Sequence, residues 1–292
     1  MWIFWFIDTV VYTGEIIFMM PFRFPHKTEE SIVMGIVNVS PDSFYRESRC
    51  KTLEQVLIKA ERMIKEGADI LDIGAESTRP GSVSISEQEE LDRLLPVLTK
   101  LVKVVKIPIS VDTYKPVVAK KVLQAGATII NDITGLQRFE EMARIISQFN
   151  AGVILMHMQG SPENMQDRPQ YADVVSEILE YLQRSIDIAI EVGIDPKKIA
   201  VDPGIGFGKT DSHNLQILKN LNRFKELDKP VLLGVSRKSL IGNILNIPAE
   251  DRLIGSLAAT AFGLMQGVTI IRTHDVQATR QTVKIAQAIM KN

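Results

Sequence analysis

Eight times along this chain a short apolar run stops abruptly at a polar or glycine-containing cluster. Ile32–Val37 ends at Asn38-Val39-Ser40-Pro41-Asp42-Ser43, Ile70–Ile73 at Gly74-Ala75-Glu76, Ile107–Val111 at Asp112-Thr113, and Thr128–Ile130 at Asn131-Asp132. Gly152–Met156 ends at His157-Met158-Gln159, Ile199–Val201 at Asp202-Pro203-Gly204, Val231–Leu233 at Gly234-Val235-Ser236, and Thr269–Ile271 at Arg272-Thr273-His274-Asp275. Such runs are too short for helices, and their unbroken apolar character fits strands buried on both faces of a parallel sheet. The segments between them carry a helical period. Thr52–Glu66 places Leu53, Val56, Leu57, Ala60, Met63 and Ile64 on one face, and Tyr171–Val192 does the same with Val175, Ile178, Leu179, Leu182 and Ile186. Ser86 and Glu89 form a capping-box pattern for the helix after the second strand, within which Pro96 predicts a kink.

Eight strand–helix units with right-handed crossovers predict an α/β chain folded as a closed (β/α)8 TIM barrel over residues 31–292. A doubly wound sheet of eight parallel strands would want a dinucleotide fingerprint. Gly204-x-Gly206-x-Gly208 has the wrong spacing for one and reads as a mobile or backbone-exposing loop. Residues 1–30 form an N-terminal extension. Met1–Met20 lacks Lys and Arg, and a membrane span would carry Asp8 and Glu15 at about 2–3 kcal/mol each near its centre. The expectation is therefore a hairpin turning near Thr13-Gly14 and capping the barrel floor, or a working start at Met19 or Met20. The net charge of −1 argues against a general attraction to nucleic acid or an anionic membrane. The single cysteine, Cys50, excludes an internal disulfide and favours a reducing, cytoplasmic location.

A barrel brings its eight strand C-termini to one face. That face would collect Asn38, Glu76, Arg79, Asp112, Asn131, Asp202, Lys238, Arg272 and His274. A lone Asp after a strand is commonly a helix cap, and Asp132 and Asp275 need be no more than that. The other groups sort by sign. Asp112, Asn131 and Asp202, from strands three, four and six, suit a planar ligand rich in N–H donors, such as a pterin or a guanine-like ring. Lys238, Arg272 and His274 come from strands seven and eight, where barrels often bind phosphate. Arg272 can clamp a pair of phosphate oxygens, while Lys238 acts as a point charge. Asn38, on the neighbouring first strand, could offer its amide oxygen to Mg²⁺.

The chain resembles the dihydropteroate synthase family. The matching stretches are Met34–Phe44, Asp72–Ser82, Val111–Pro116, Asn131–Ile133, Met156–Met165, Asp202–Lys209, Gly234–Ser239 and Arg272–Val276, in the family's order. The resemblance implies condensation of 6-hydroxymethyl-7,8-dihydropterin diphosphate with p-aminobenzoate, with Mg²⁺ as cofactor and a homodimer formed through outer helices. It assigns Asp112, Asn131, Asp202 and Lys238 to the pterin, Met156 and Phe207 to its pocket wall, and Arg272 to one face of the ring. Asn38, Arg272 and His274 would receive diphosphate and Mg²⁺. Ser239, at the start of helix seven, would take the p-aminobenzoate carboxylate. Thr78, Arg79 and Pro80 belong to a loop that closes over the second substrate together with Phe44.

The chain departs from the family after Phe44. Tyr45-Arg46-Glu47-Ser48 stands where Ser-Asp-Gly-Gly is usual, so Arg46 replaces the loop's acidic residue and Glu47 follows one place later. That change motivates a second reading, a non-catalytic pterin-binding paralogue. A pterin-dependent methyltransferase would share the barrel and the Asp/Asn pocket, but has no need of Ser236-Arg237-Lys238-Ser239 or Arg272-Thr273-His274. An aldolase-like barrel would use Lys238 as a Schiff base, against its neighbours Arg237 and Ser239.

Overall fold

The computed structural model describes residues 9–12, 15–18, 22–26, 30–39, 53–79 and 81–291. Strands β1 (Thr9–Tyr12) and β2 (Glu15–Phe18) pair antiparallel, with Tyr12 opposite Glu15. The remaining strands are β3 (Ile32–Asn38), β4 (Ile70–Gly74), β5 (Ile109–Asp112), β6 (Ile129–Asp132), β7 (Gly152–Met156), β8 (Ile199–Asp202), β9 (Leu232–Leu233) and β10 (Ile270–Thr273). All pair in parallel in the order β8-β7-β6-β5-β4-β3-β10-β9. A parallel bridge between Val201 and Val231 joins the last strand back to the first, closing the barrel. The helices are α1 (Leu53–Lys65), α2 (Glu87–Val104), α3 (Pro116–Gln124), α4 (Glu140–Gln148), α5 (Val174–Glu191), α6 (Asp211–Lys219), α7 (Ser239–Leu245), α8 (Leu253–Met265) and α9 (Val276–Lys291).

Strand alternation builds the interior in layers. Met34, Ile70, Ile129, Ile154, Ala200, Leu232 and Ile270 share one small apolar cluster inside the barrel. Their immediate neighbours, such as Val33, Leu71, Ile130, Val153, Val201, Leu233 and Ile271, belong to the larger cluster packed against the helices. Side chains two residues further along a strand return to the same face. Asp72, Asn131, Asp202 and Arg272 therefore sit directly above Ile70, Ile129, Ala200 and Ile270. The apolar plug and the polar layer over it are written by one period-two pattern.

The lower end is sealed by Phe24, which is buried in the inner cluster, with Phe22 packed against it. Their rings meet edge to face with centroids 4.7 Å apart, and the Phe24 N–H donates to the Lys197 carbonyl at 3.1 Å. Among the described side chains it is thus the segment after the hairpin that closes the floor. Helix α2 starts at its expected cap, where Ser86 Oγ accepts from the Glu89 N–H, and runs through Pro96 to Val104 without interruption.

Two other expectations are corrected. Ser239 opens a helix, but that helix is the short α7, and the barrel's own helix after β9, expected over residues 252–265, is the separate α8, which begins at Leu253. The glycine-rich loop after β8 is a site of close backbone approach rather than a loose segment. Gly204 has φ +69°, and a Cβ there would lie 2.0 Å from the His157 carbonyl oxygen. At Gly208, φ +61°, a Cβ would lie 2.5 Å from the Gln159 carbonyl oxygen. Gly204→Ala is expected to lower the melting temperature, with a cost of about 1–3 kcal/mol or more from strain and overpacking. A thermal melt beside the parent chain checks it.

Candidate active site

The strand ends enclose a cavity of about 300 Å³. Of the residues singled out from the sequence, Asn38, Glu76, Thr78, Arg79, Asp112, Phe207, Lys238, Ser239, Arg272 and His274 line it. Asn131, Met156 and Asp202 are buried and lie outside that lining. Phe44, Pro80 and the altered stretch Tyr45–Ser48 lie outside the described residues.

Arg272 joins what the sequence separated by sign. Its Nε donates to Asp72 Oδ2 at 2.7 Å, and its Nη2 reaches Asp72 Oδ2 at 2.6 Å and Asp112 Oδ2 at 2.8 Å. Nη1 has no hydrogen-bond partner among the described residues. Asn131 Nδ2 donates to the same Asp72 oxygen at 3.3 Å. The cation expected among the anion-binding groups thus sits on two carboxylates of the opposite half. Asp72, wholly buried inside β4, is the group that sequence reasoning left without a role. A carboxylate alternating with the core residue Ile70 in an apolar strand was the available signal.

Burial dominates the electrostatics. It pushes Asp112 up to about 7 despite Arg272, with Asp72 adding to the rise. Asp202 is likewise raised by burial, against the pull of Lys238, and its Oδ1 accepts from the Gly204 N–H at 2.7 Å. Lys238 falls to about 8, mainly through burial. Its ammonium donates to the Ile205 carbonyl and lies 4.7 Å from the centre of the Phe207 ring. Phe207 in turn packs on a cluster of Tyr114, Ile133, Met156, Met158 and Met165, which forms an apolar wall.

His274 differs from its expected role as a cation. Burial, followed by the surrounding Lys59 and arginine charges, lowers it to about 3, so the imidazole is neutral near pH 7. Ser236 Oγ accepts from the His274 backbone N–H at 3.2 Å and lies 3.0 Å from its Nδ1. The hydroxyl proton can then go to Nδ1, which leaves Nε2–H as a neutral donor.

Three further groups hold the rim. Lys115 Nζ donates to Glu76, to Glu90 at 2.7 Å and to the Ile85 carbonyl at 2.6 Å, and Tyr114 Oη donates to Glu76 at 2.9 Å. This network ties the base of the loop carrying Thr78 and Arg79. Lys209, fully buried, spans His157 Nδ1 at 2.9 Å and the Phe207 carbonyl at 2.8 Å. Arg237 grips Asp275 with two bonds of 2.8 Å. Asp132 accepts from Thr134 and the Leu136 N–H, so it caps the turn after β6 rather than the helix α4 that its position suggested, whose N-cap is Phe139.

The sequence pattern of the "Pterin binding enzyme" family matches residues 34–274. The dihydropteroate synthase of Bacillus subtilis is 41% identical over 278 residues, 94% of either chain. Among solved structures, Yersinia pestis dihydropteroate synthase with a sulfonamide drug complex superposes with a TM-score of 0.87 at 40% identity, covering 98% of this chain and 100% of that one. The Xanthomonas albilineans dihydropteroate synthase with 4-aminobenzoic acid gives 0.83 at 38% identity, with 98% and 100% covered.

Proposed function

The chain belongs to the pterin-binding enzymes and, within them, to the dihydropteroate synthases, and we propose from that premise how its own side chains divide the work. The reaction joins 6-hydroxymethyl-7,8-dihydropterin diphosphate to p-aminobenzoate, giving 7,8-dihydropteroate and diphosphate in folate biosynthesis. The observation that carries the site reading is the polar layer. Asp202 and the amide of Asn131 are buried in the interior register above an apolar plug, and the partly buried carboxylate of Asp112 borders the same chamber. Carboxylates so placed accept from the amino and N–H groups of a pterin, and removal from water strengthens those charged bonds. Met156 and Phe207 supply the wall, Lys238 and Arg272 the cationic side.

On this reading, the bond between the exocyclic methylene and the diphosphate oxygen breaks first, its electron pair leaving with diphosphate. The positive charge then spreads over the pterin ring beside Asp112 and Asp202, which are preorganised to stabilise it. The aromatic amine is already neutral near pH 7 and attacks the methylene without a dedicated base; the proton its nitrogen then loses passes to the departed diphosphate. His274, as a neutral Nε2–H donor, and the unpaired Nη1 edge of Arg272 receive the leaving group. Ser239 offers its hydroxyl to the p-aminobenzoate carboxylate. Thr78 and Arg79 form the adjoining wall, and water excluded by that wall cannot capture the cation.

Mg²⁺ fits this chamber in one way. The Asn38 amide borders the cavity and makes no hydrogen bond among the described residues, so its oxygen is available to a hard cation. Those residues contain no cluster of three acidic or histidine side chains that would cage a metal alone. Asn38 would therefore hold Mg²⁺ together with phosphate oxygens and water. The ion, when bound, neutralises charge on the departing diphosphate.

Self-association as a homodimer is supported by apolar side chains left exposed on α8 and α9, among them Ile254, Phe262, Ile285 and Ile289. Sedimentation would show it. A cytoplasmic location is supported by the single cysteine, and no described helix is long and apolar enough to cross a membrane.

The direct experiment supplies protein, Mg²⁺, pterin diphosphate and p-aminobenzoate and measures dihydropteroate and diphosphate together. Pterin binding without either product would favour the non-catalytic reading. A pH dependence follows from Asp112. Its carboxylate gains a proton as pH falls through about 7, so pterin affinity is expected to weaken on the acid side. Calorimetry on either side of that pH, with Asp112→Asn losing the acid-side step, checks the assignment.

A further inference from the structure

The one carboxylate of the polar layer to which the reaction assigns no contact is Asp72. It is 0% exposed and lies within β4, opposite Ile36 of β3 and Ser110 of β5. A charge buried at that depth needs partners, and those it has are informative. Oδ2 takes every bond: Arg272 Nε at 2.7 Å, Arg272 Nη2 at 2.6 Å and Asn131 Nδ2 at 3.3 Å. Oδ1 has none. Asp72 caps no helix and bonds to no backbone group among the described residues, so its polar contacts serve two site residues alone. These two come from opposite sides of the chamber, Asn131 from β6 and Arg272 from β10.

We propose that Asp72 is a positioning residue for the condensation, fixing through a single oxygen the distance between the pterin-reading Asn131 and the leaving-group side of Arg272. Three consequences follow from the geometry. Arg272 is held by Nε and Nη2, so its Nη1 edge keeps one orientation instead of swinging with a long flexible stem. Asn131 is held through Nδ2, which leaves its amide oxygen to accept from a ligand. The methylene of the substrate lies between the two recognised ends, so an error in their spacing moves the bond that breaks. Misplacement of about 1 Å can reduce a rate by about a hundredfold.

The inference rests on the pterin reading of the chamber, and one experiment separates the two. Asp72→Ala and Asp72→Asn are compared with the parent chain for kcat, for KM of both substrates, for affinity toward a pterin without phosphate, and for melting temperature. Asp72→Ala is expected to lower kcat by about tenfold to a hundredfold while KM for p-aminobenzoate changes little. Asp72→Asn keeps the shape and one acceptor oxygen, and it is expected to fold and to recover part of that loss.

Its second readout is the pH profile of pterin binding. Asp112 is faced by Arg272 of β10, by Asp72 of β4, by Glu76 just beyond it, by Glu90 of α2 and by Lys238 after β9. Removing the charge of Asp72 is expected to move the acid-side midpoint downward, a shift that a role confined to packing would not cause. Parent-like kcat in Asp72→Ala together with an unmoved midpoint in Asp72→Asn would overturn the proposal. A parent chain that binds no pterin would instead overturn the reading on which it stands.

Discussion

Arg272→Met is expected to slow condensation by about a hundredfold to a thousandfold and to destabilise the fold by about 3–5 kcal/mol. The stability loss arises because the buried Asp72 is left beside Asp112 without the cation that they share, and an orphaned buried charge is costly. The activity loss arises separately, through the donor edge that faces the leaving group, for which removal of one such donor costs about a hundredfold to a thousandfold. The two effects part in the double variant Arg272→Met with Asp72→Asn. Removing one of the two like charges restores much of the melting temperature, whereas turnover stays as low as in the single variant. Denaturant titration and a product assay on the same preparations check both. Recovery of turnover in the double variant would show that Arg272 acts only as a structural counter-ion.

The second large effect is expected at Asp202. Asp202→Ala removes a charged acceptor from the pterin and is expected to weaken pterin affinity by about tenfold to a hundredfold, or 1.5–3 kcal/mol. It also frees the Gly204 N–H and removes the favourable carboxylate from beside Lys238, which burial has already brought down to about 8. Asp202→Asn separates these effects. Its amide oxygen can still accept from Gly204, so the loop stays in place, while the charge facing the ligand is gone. Calorimetry with a pterin is expected to show nearly the same loss in both variants. Unchanged affinity in either would remove Asp202 from the ring-reading set.

Most of the site was legible because of where polar residues interrupt strands. Asp112, Asn131, Asp202 and Arg272 each follow or end an apolar run, and a barrel must bring such ends together. Asp72 was not legible in that way. It sits within Ile70–Gly74, two residues before the strand ends, where a strand-end search passes over it. The roles of Lys209 and Lys115, and the pairing of Ser236 with His274, were missed for a different reason. Each of these residues acts on another side chain or on a carbonyl from a distant segment, and no local pattern encodes those pairings. The glycine-rich loop carried a true signal that admitted two meanings. Only the approach of His157 and Gln159 shows that glycine is needed there for space as well as for positive φ.

The sequence alone determined the barrel, the order of its units and the face that carries the chemistry, because hydrophobic period and strand termination are local properties of a chain. Tertiary structure decided the charge state and company of each group. Which carboxylate Arg272 holds, whether His274 is a cation, and how far Asp112 rises depend on burial and on partners as distant as residues 72 and 272. Desolvation and Coulomb terms are set by three-dimensional surroundings, and no run of neighbouring residues can fix them.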